Sequence, residues 1–423
     1  MKVRLAYGRR GLDVELPDGR TTVVEPAHHP AAEDPRAVLR AALDAPVAGP
    51  RLRDAARGGR RVAISMCDGT RAQPRDLMIP AVLEELEGVV ALEDVTVLVA
   101  TGTHRGNSDA EIRDMLGAEV AERVRVVNHD ARDPDTLAYL GEHGNGVPVW
   151  LCREWVEADV RITTGFVEPH FFAGFSGGPK MVTPGLAGLD TVLVLHDAAR
   201  IGHPDATWGR IEGNPVHDDI RAAAAACPPH FSCDVILNGD QRIVAAFAGE
   251  LGPMHAAACA TAKSVAMRAV AEPFDVVVTS NAGYPLDQNL YQAVKGMSAA
   301  ATVVKPGGTI VCAAECRDGF PGHGSYRELL SSQPSPEALL EAIESVDTVV
   351  PDQWQVQIQA KIQGHATVVM HTDHLSDEEL RTAHLDQTSD IAGTVEEALD
   401  RAGPRATVCA LPEGPQTIAY VAA

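Results

Sequence analysis

The sequence predicts an α/β protein: two α/β domains with mainly parallel sheets. Three observations predict it. The chain has 423 residues, too many for one ordinary core. A strand–loop–helix rhythm repeats as RVAISM into CDGTR, VTVLVA into TGTHR, VRVVNHD, and DVRITTG into FVEPH, the pattern of a doubly wound parallel sheet. Near residue 270 the rhythm restarts with FDVVVTS, a glycine-proline loop, a helix, and TIVCAAE after the turn KPGG.

The opening stretch alternates Val3, Leu5, Tyr7 and then Leu12, Val14, Leu16 around Gly8 and Gly11, which predicts a β-hairpin. An Ala/Pro-rich helical connection follows to about residue 58. Ser108 and Glu111 form a capping box after the second loop of the rhythm. Residues 1–270 are assigned to the first domain and 271–395 to the second. The last strand, ATVCALP, lies in 396–423 and is the segment expected to return to the first domain.

Composition sets limits. A formal charge of −22 argues against nucleic acid or an anionic membrane as partner. No run of eighteen apolar residues occurs, so no membrane span is expected. The N-terminus is charged throughout, unlike a secretory leader. Eight cysteines without a CxxC pair predict a reduced, cytoplasmic protein, with Cys312 and Cys316 as buried small hydrophobes.

In open α/β sheets ligands bind beyond the carboxyl ends of strands. Asp68, Thr70, Arg71, His104, Arg105, Glu168 and His170 all follow predicted strands directly, so several loops converge on one edge. The densest is EPHFFAGFSGGPKMVTPG at 168–185. Lys180 there is not the lysine of a Walker A loop, because Pro179 replaces the preceding glycine and Met181 the following Ser/Thr. The glycines let backbone approach a bulky ligand or offer N–H groups to an anion. An amine among Phe171, Phe172 and Phe175 can have its pKa lowered and attack an electrophile. Sixteen residues on, after TVLVL, stands His196. Such a histidine is usually structural, but beside a lysine anchor and a soft cofactor it is a candidate metal ligand.

At these residues the chain resembles the nickel-pincer-dependent lactate racemases. ATGTHR, EPHFFAGFSGGPK and GYPLDQNLYQAVKG carry the resemblance, with DGTR at 68–71 and DQWQVQI at 352–358. These motifs span roughly residues 60 to 360. The resemblance implies a 2-hydroxyacid racemase or epimerase working by proton-coupled hydride transfer through a 2-oxo acid. It implies nickel held by a pyridinium-3-thioamide-5-thiocarboxylate mononucleotide attached to Lys180, with His196 completing the metal sphere; soft sulfur donors suit nickel. Enzymes that make this cofactor are then expected partners. His104 and His170 become the acid–base pair, an imidazole's ordinary pKa of ~6.5 suiting the task.

Arg71 is expected to grip the substrate carboxylate bidentately. Tyr291, Gln292, Lys295 and Trp354 would line the substrate pocket, the first three sharing one helix face. Asp68 and Thr70 would hold the cofactor's ribose or phosphate, or Asp68 would orient Arg71. Gly177 and Gly178 would offer backbone donors. The first domain thus binds the cofactor and the second contributes to the substrate, with the active site in the interdomain cleft. Arg317 is the candidate for a second carboxylate clamp.

Two other readings compete. A non-catalytic carrier or storage protein for the nickel nucleotide would need Lys180 and His196 but not both His104 and His170. A zinc hydrolase built on His104, His170 and Glu168 needs a three-ligand cluster and leaves Lys180 without a role. His129, His203, His217 and the HTDH run at 371–374 have no assigned role, HTDH reading as a solvated loop or helix start.

Overall fold

Alternating apolar runs and helical segments bury strands on both faces, and all six residues of Val62–Cys67 are buried. The computed structural model describes residues 1–27, 29–322, 324–346 and 348–422. The chain forms two units, each discontinuous in sequence.

One unit comprises His28–His196 and Asp205–Val265. Its six-stranded sheet runs Ile243–Gly249, Phe231–Leu237, Val160–Phe166, Val62–Cys67, Val95–Ala100, Arg125–Asn128. All neighbours are parallel except Ile243–Gly249, which is antiparallel at the edge. Helices Pro35–Asp44 and Arg75–Leu86 add Leu39, Leu43, Met78, Ile79 and Val82 to an apolar cluster with Ile64, Val97 and Ile162. Each fully buried side chain of this kind contributes roughly 1.5–3 kcal/mol. The predicted Ser108–Glu111 capping box is present in full and starts the helix Asp109–Leu116.

The other unit comprises Met1–Ala27, Asp197–Pro204 and Ala266–Ala423. Its sheet, wholly parallel, runs Asp386–Gln387, Thr367–His371, Val304–Ala313, Phe274–Ser280, Val408–Leu411, Thr21–Val23. The predicted hairpin forms from Lys2–Leu5 and Leu12–Glu15 and packs Val3, Leu5 and Val14 against Val276, Val311 and Val408.

The domain boundaries expected from sequence need correction. The hairpin and Thr21–Val23 belong with the second unit, as do residues 197–204. The segment 396–423 does not return to the first unit. Val408–Leu411 is instead a central strand of the second sheet, hydrogen-bonded between Phe274–Ser280 and Thr21–Val23. The physical reason is edge pairing: an apolar strand with all four residues buried needs a neighbour on each side. Among the described residues no helix is long and apolar enough to cross a membrane.

Candidate active site

The chain winds outward on one side of Val62–Cys67 and then returns to its other side with Val160–Phe166. That is a topological switch point, where open α/β sheets bind ligands beyond the carboxyl ends. The DGTR loop leaves one strand and the EPHFFAG loop the other, and the His104 loop follows the neighbouring Val95–Ala100. Buried Gln73 fastens the two strand ends: its Oε1 accepts from the Cys67 N–H at 2.7 Å and its Nε2 donates to Thr164 Oγ1 at 2.9 Å. The Gly102 N–H donates to Gly185 O at 2.9 Å, tying the His104 loop to the segment after Lys180.

Asp68 is buried at the root of this edge. Its Oδ2 lies 2.8 Å from His104 Nδ1, and its Oδ1 accepts from the Thr70 N–H at 2.7 Å and hydroxyl at 2.5 Å. Burial pushes the carboxyl pKa up, but the hydrogen bond and charge of His104 and the Thr70 donors outweigh it and hold the group at about 2. An ionised carboxylate only accepts, so Nδ1 of His104 carries the hydrogen and Nε2 is the ring's accepting nitrogen. The histidine side chain is 43% exposed and the aspartate 4%; the pair is anchored at one end and open at the other. Arg71 is exposed, and its guanidinium makes no hydrogen bond or ion pair among the described residues.

The second loop is braced by its own backbone. Pro169–His170 pairs antiparallel with Gly174–Phe175. Ser176 donates its N–H to Glu168 O at 2.9 Å and its hydroxyl to Phe166 O at 3.0 Å. Buried Asn214 donates to Phe172 O and Arg210 O, both at 2.9 Å, while capping the helix Pro215–Ala225. His170 Nδ1 accepts from the Ala173 N–H at 3.3 Å, which places the neutral ring's hydrogen on Nε2.

Phe172 is the hub. Its ring centroid lies 4.5 Å from that of His170, 5.3 Å from that of His196, and 5.6 Å from Lys180 Nζ. Lys180 keeps part of its surface open while its amine is crowded by protein. Burial, reinforced by the charge of Arg71, lowers its pKa to about 7. His196 ends the helix Leu189–Leu195 and donates from Nδ1 to Val192 O at 2.7 Å. Burial lowers its pKa to about 4, with the Val192 bond opposing and the Lys180 charge adding. The ring is therefore neutral near pH 7, with Nε2 as the nitrogen that carries the lone pair.

The second unit holds Tyr291, Gln292 and Lys295 on the helix Leu290–Ala301, capped by Asn289. Trp354, near the start of Gln353–His365, donates its Nε1–H to Tyr291 Oη at 3.2 Å. Gln355 from the same helix donates to Tyr291 O, and Tyr326 meets the Tyr291 ring edge-on at 5.3 Å. Two motifs 63 residues apart in sequence are thus one local structure. Arg317 is exposed after Val304–Ala313.

Several expectations change. The Asp68 carboxylate is engaged by His104 and Thr70, and the residue's backbone carbonyl oxygen accepts from the Arg71 N–H at 3.2 Å. Gly178 does not offer a free donor, because its N–H is taken by Asp234 Oδ2 at 2.6 Å. Gly177 and Gly178 have φ of +67° and +50°, and their Cα faces pack against Val167, Asp234 and His255. They are glycines because protein crowds them. No group of three His, Cys, Asp or Glu is arranged to hold a metal among the described residues, so the three-ligand cluster required for a zinc hydrolase is not formed.

The HTDH run closes the strand Thr367–His371 and enters a loop, where His371 donates to Thr388 O. Sequence reading missed Gln73, Asn214, Asp234 and His255. Only Asp234 left a signal, as a charge inside the apolar run FSCDVIL.

The chain matches the family profile of the lactate racemase N-terminal domain over residues 7–209 and that of the C-terminal domain over 269–419. A lactate racemase from Thermoanaerobacterium thermosaccharolyticum is 34% identical over 421 residues, covering 98% of each chain. One from Lactiplantibacillus plantarum is 33% identical over 417 residues, covering 97% of this chain and 98% of the other. The solved structure of the lactate racemase apoprotein from T. thermosaccharolyticum has a TM-score of 0.93 at 33% identity, covering 99% of this chain and all of that one. A Thermotoga maritima protein at 18% identity and TM-score 0.65, covering 88% of this chain and 98% of its own, shares the fold.

Proposed function

The chain belongs to the lactate racemase family and is an isomerase, and on that premise we propose that it inverts C2 of a 2-hydroxy acid, lactate or a close relative, by way of a planar 2-oxo acid. One observation carries the reading: the Asp68-oriented imidazole of His104 follows Val95–Ala100 and the Phe172-centred group of His170, His196 and Lys180 is built after Val160–Phe166, the two strands that flank Val62–Cys67.

The residues fit a nickel-pincer nucleotide. Lys180, its amine lowered to about 7, is nucleophilic near neutrality and suits covalent attachment. His196 is neutral with Nδ1 fixed by Val192, so Nε2 can complete a metal sphere. When bound, that group supplies the lodging place for the C2 hydrogen and its electrons. The chain's own residues do the rest. Arg71 grips the carboxylate as a planar fork. Nε2 of His104 accepts the hydroxyl proton, and Asp68 stabilises the imidazolium that forms. His170 is the partner acid: its protonated ring would give a proton to the substrate oxygen as C2 is reduced and become neutral, while His104 ends protonated, and the two exchange roles for the opposite enantiomer. Tyr291, Gln292, Lys295 and Trp354 are proposed as substrate-binding residues. Glycines 177 and 178 act by shaping the lysine turn.

A carrier would need the lysine and His196 but has no use for a carboxylate-oriented imidazole. Eight free, buried cysteines support a reducing, cytoplasmic setting. The test is to co-produce the chain with cofactor-making enzymes, then measure intact mass, nickel content, and racemisation of a panel of enantiopure 2-hydroxy acids by chiral chromatography. An adduct on Lys180, nickel, and interconversion are expected together. Full activity in unmodified, nickel-free protein would remove the nickel reading.

A further inference from the structure

A buried carboxylate is costly unless something is gained by keeping it charged or hydrogen-bonded. Asp234, wholly buried in the strand Phe231–Leu237, has its Oδ1 without a hydrogen-bond partner among the described residues. Its Oδ2 accepts from the Gly178 N–H at 2.6 Å. Beside it, buried His255 on the helix Leu251–Ala266 donates from Nε2 to Ser176 O at 3.0 Å. His217 stacks on His255 with centroids 5.8 Å apart and planes 14° from parallel.

Three glycines are cleared around these two groups. A methyl at Gly165 would stand 2.9 Å from Asp234 Oδ1, one at Gly177 2.8 Å from Oδ2, and one at Gly178 would enter the His255 ring. Directly above, the Lys180 N–H donates to Gly177 O at 3.0 Å and the lysine rides the 3₁₀ turn Gly178–Met181.

We propose that Asp234 and His255 are positioning residues for Lys180: they grip the Ser176–Gly178 turn from beneath and so fix where the lysine amine stands. Neither touches the substrate's reacting atoms in the mechanism above. Burial raises Asp234 to about 7 against the Gly178 bond and lowers His255 to about 4, so both groups hold the turn through hydrogen bonds rather than as an ion pair. The inference rests on the proposed role of Lys180 only for its functional meaning; the grip itself is a property of the chain.

The test labels the full-length chain with trinitrobenzenesulfonate and follows Lys180 by peptide mass mapping, with surface lysines as internal controls. Adduct occupancy on Lys180 is measured separately after co-production with the cofactor-making enzymes. Asp234→Leu keeps volume and removes the acceptor; it is expected to lower both Lys180 readouts about tenfold, the scale of one lost hydrogen bond to a polar group. Asp234→Asn keeps an acceptor for Gly178 and is expected to restore them. If Asp234→Leu does not fold, His255→Leu reads the same grip from its other side, with His255→Gln, which retains an N–H donor, as the rescue.

Wild-type labelling and adduct occupancy in a folded acceptor-less variant overturn the proposal, as does an asparagine variant no better than leucine. A wild-type chain that labels normally yet never carries an adduct would instead sink the nickel reading and leave this comparison standing.

Discussion

Asp68 Oδ2 stands 2.8 Å from His104 Nδ1, and that contact decides which nitrogen of the imidazole faces outward. Asp68→Asn keeps the shape but can present an N–H to the ring and reverse its tautomer. We predict that kcat falls about 10²–10⁴-fold, the usual size of a general acid–base contribution. KM should move little and the Lys180 adduct should persist. Chiral chromatography and intact mass check the two halves.

The same carboxylate makes stability depend on acid. Its folded pKa, about 2, lies below the ordinary ~3.9. Above ~3.9 its contribution is fully present, and it is lost as pH falls through about 2. The melting-point gap between the wild-type chain and Asp68→Asn should therefore close between about pH 4 and pH 2.

Lys180 titrates on the opposite side. With its pKa lowered to about 7, the reactive neutral amine accumulates as pH rises through 7, while surface lysines wait until ~10.4. Trinitrophenylation of the Lys180 peptide should be half-maximal near pH 7. Lys180→Met should remove that labelled peptide and the cofactor adduct alike.

His196→Ala should separate metal from attachment. With the neutral Nε2 donor gone, nickel per chain, measured by inductively coupled plasma mass spectrometry, should fall about 10-fold or more. The adduct on Lys180 should remain.

Trp354→Phe deletes the indole N–H that meets Tyr291 Oη at 3.2 Å. Loss of one such hydrogen bond is worth about 0.5–1.5 kcal/mol. A rise in KM of up to about tenfold with kcat nearly unchanged is expected if Tyr291 serves substrate binding.

Much of this site is written where polar residues interrupt apolar runs. Asp68, His104 and His170 each follow a strand whose pattern is plain, so their shared edge is legible. The positioning residues are less so. Gln73 and Asn214 lie in polar stretches, and only tertiary structure shows that their amides hold strand ends and loops. Asp234 looks like an interruption of FSCDVIL, yet the strand Phe231–Leu237 forms beside Val160–Phe166 because its other side chains are buried.

The fold was legible in its repeating units and not in its chain path. Thr21–Val23 is three residues long, too short for a periodic signal, and it gains its identity from pairing with Val408–Leu411. Gln355, Gln357 and Gln359 are buried within one helix, where polarity alone would read as a solvated face. Their amides reach Tyr291 O, Ala198 O and Ala383 O, contacts that depend on segments far away in sequence.

That route through the polypeptide has a practical outcome for anyone dissecting the molecule. No single cut yields both halves intact. A piece ending at 265 would carry Thr21–Val23 without its sheet, and a piece starting at 266 would leave Val408–Leu411 with a bare hydrogen-bonding edge inviting self-association. Splicing the first 27 residues onto the later piece through a flexible tether should restore that strand's missing neighbour.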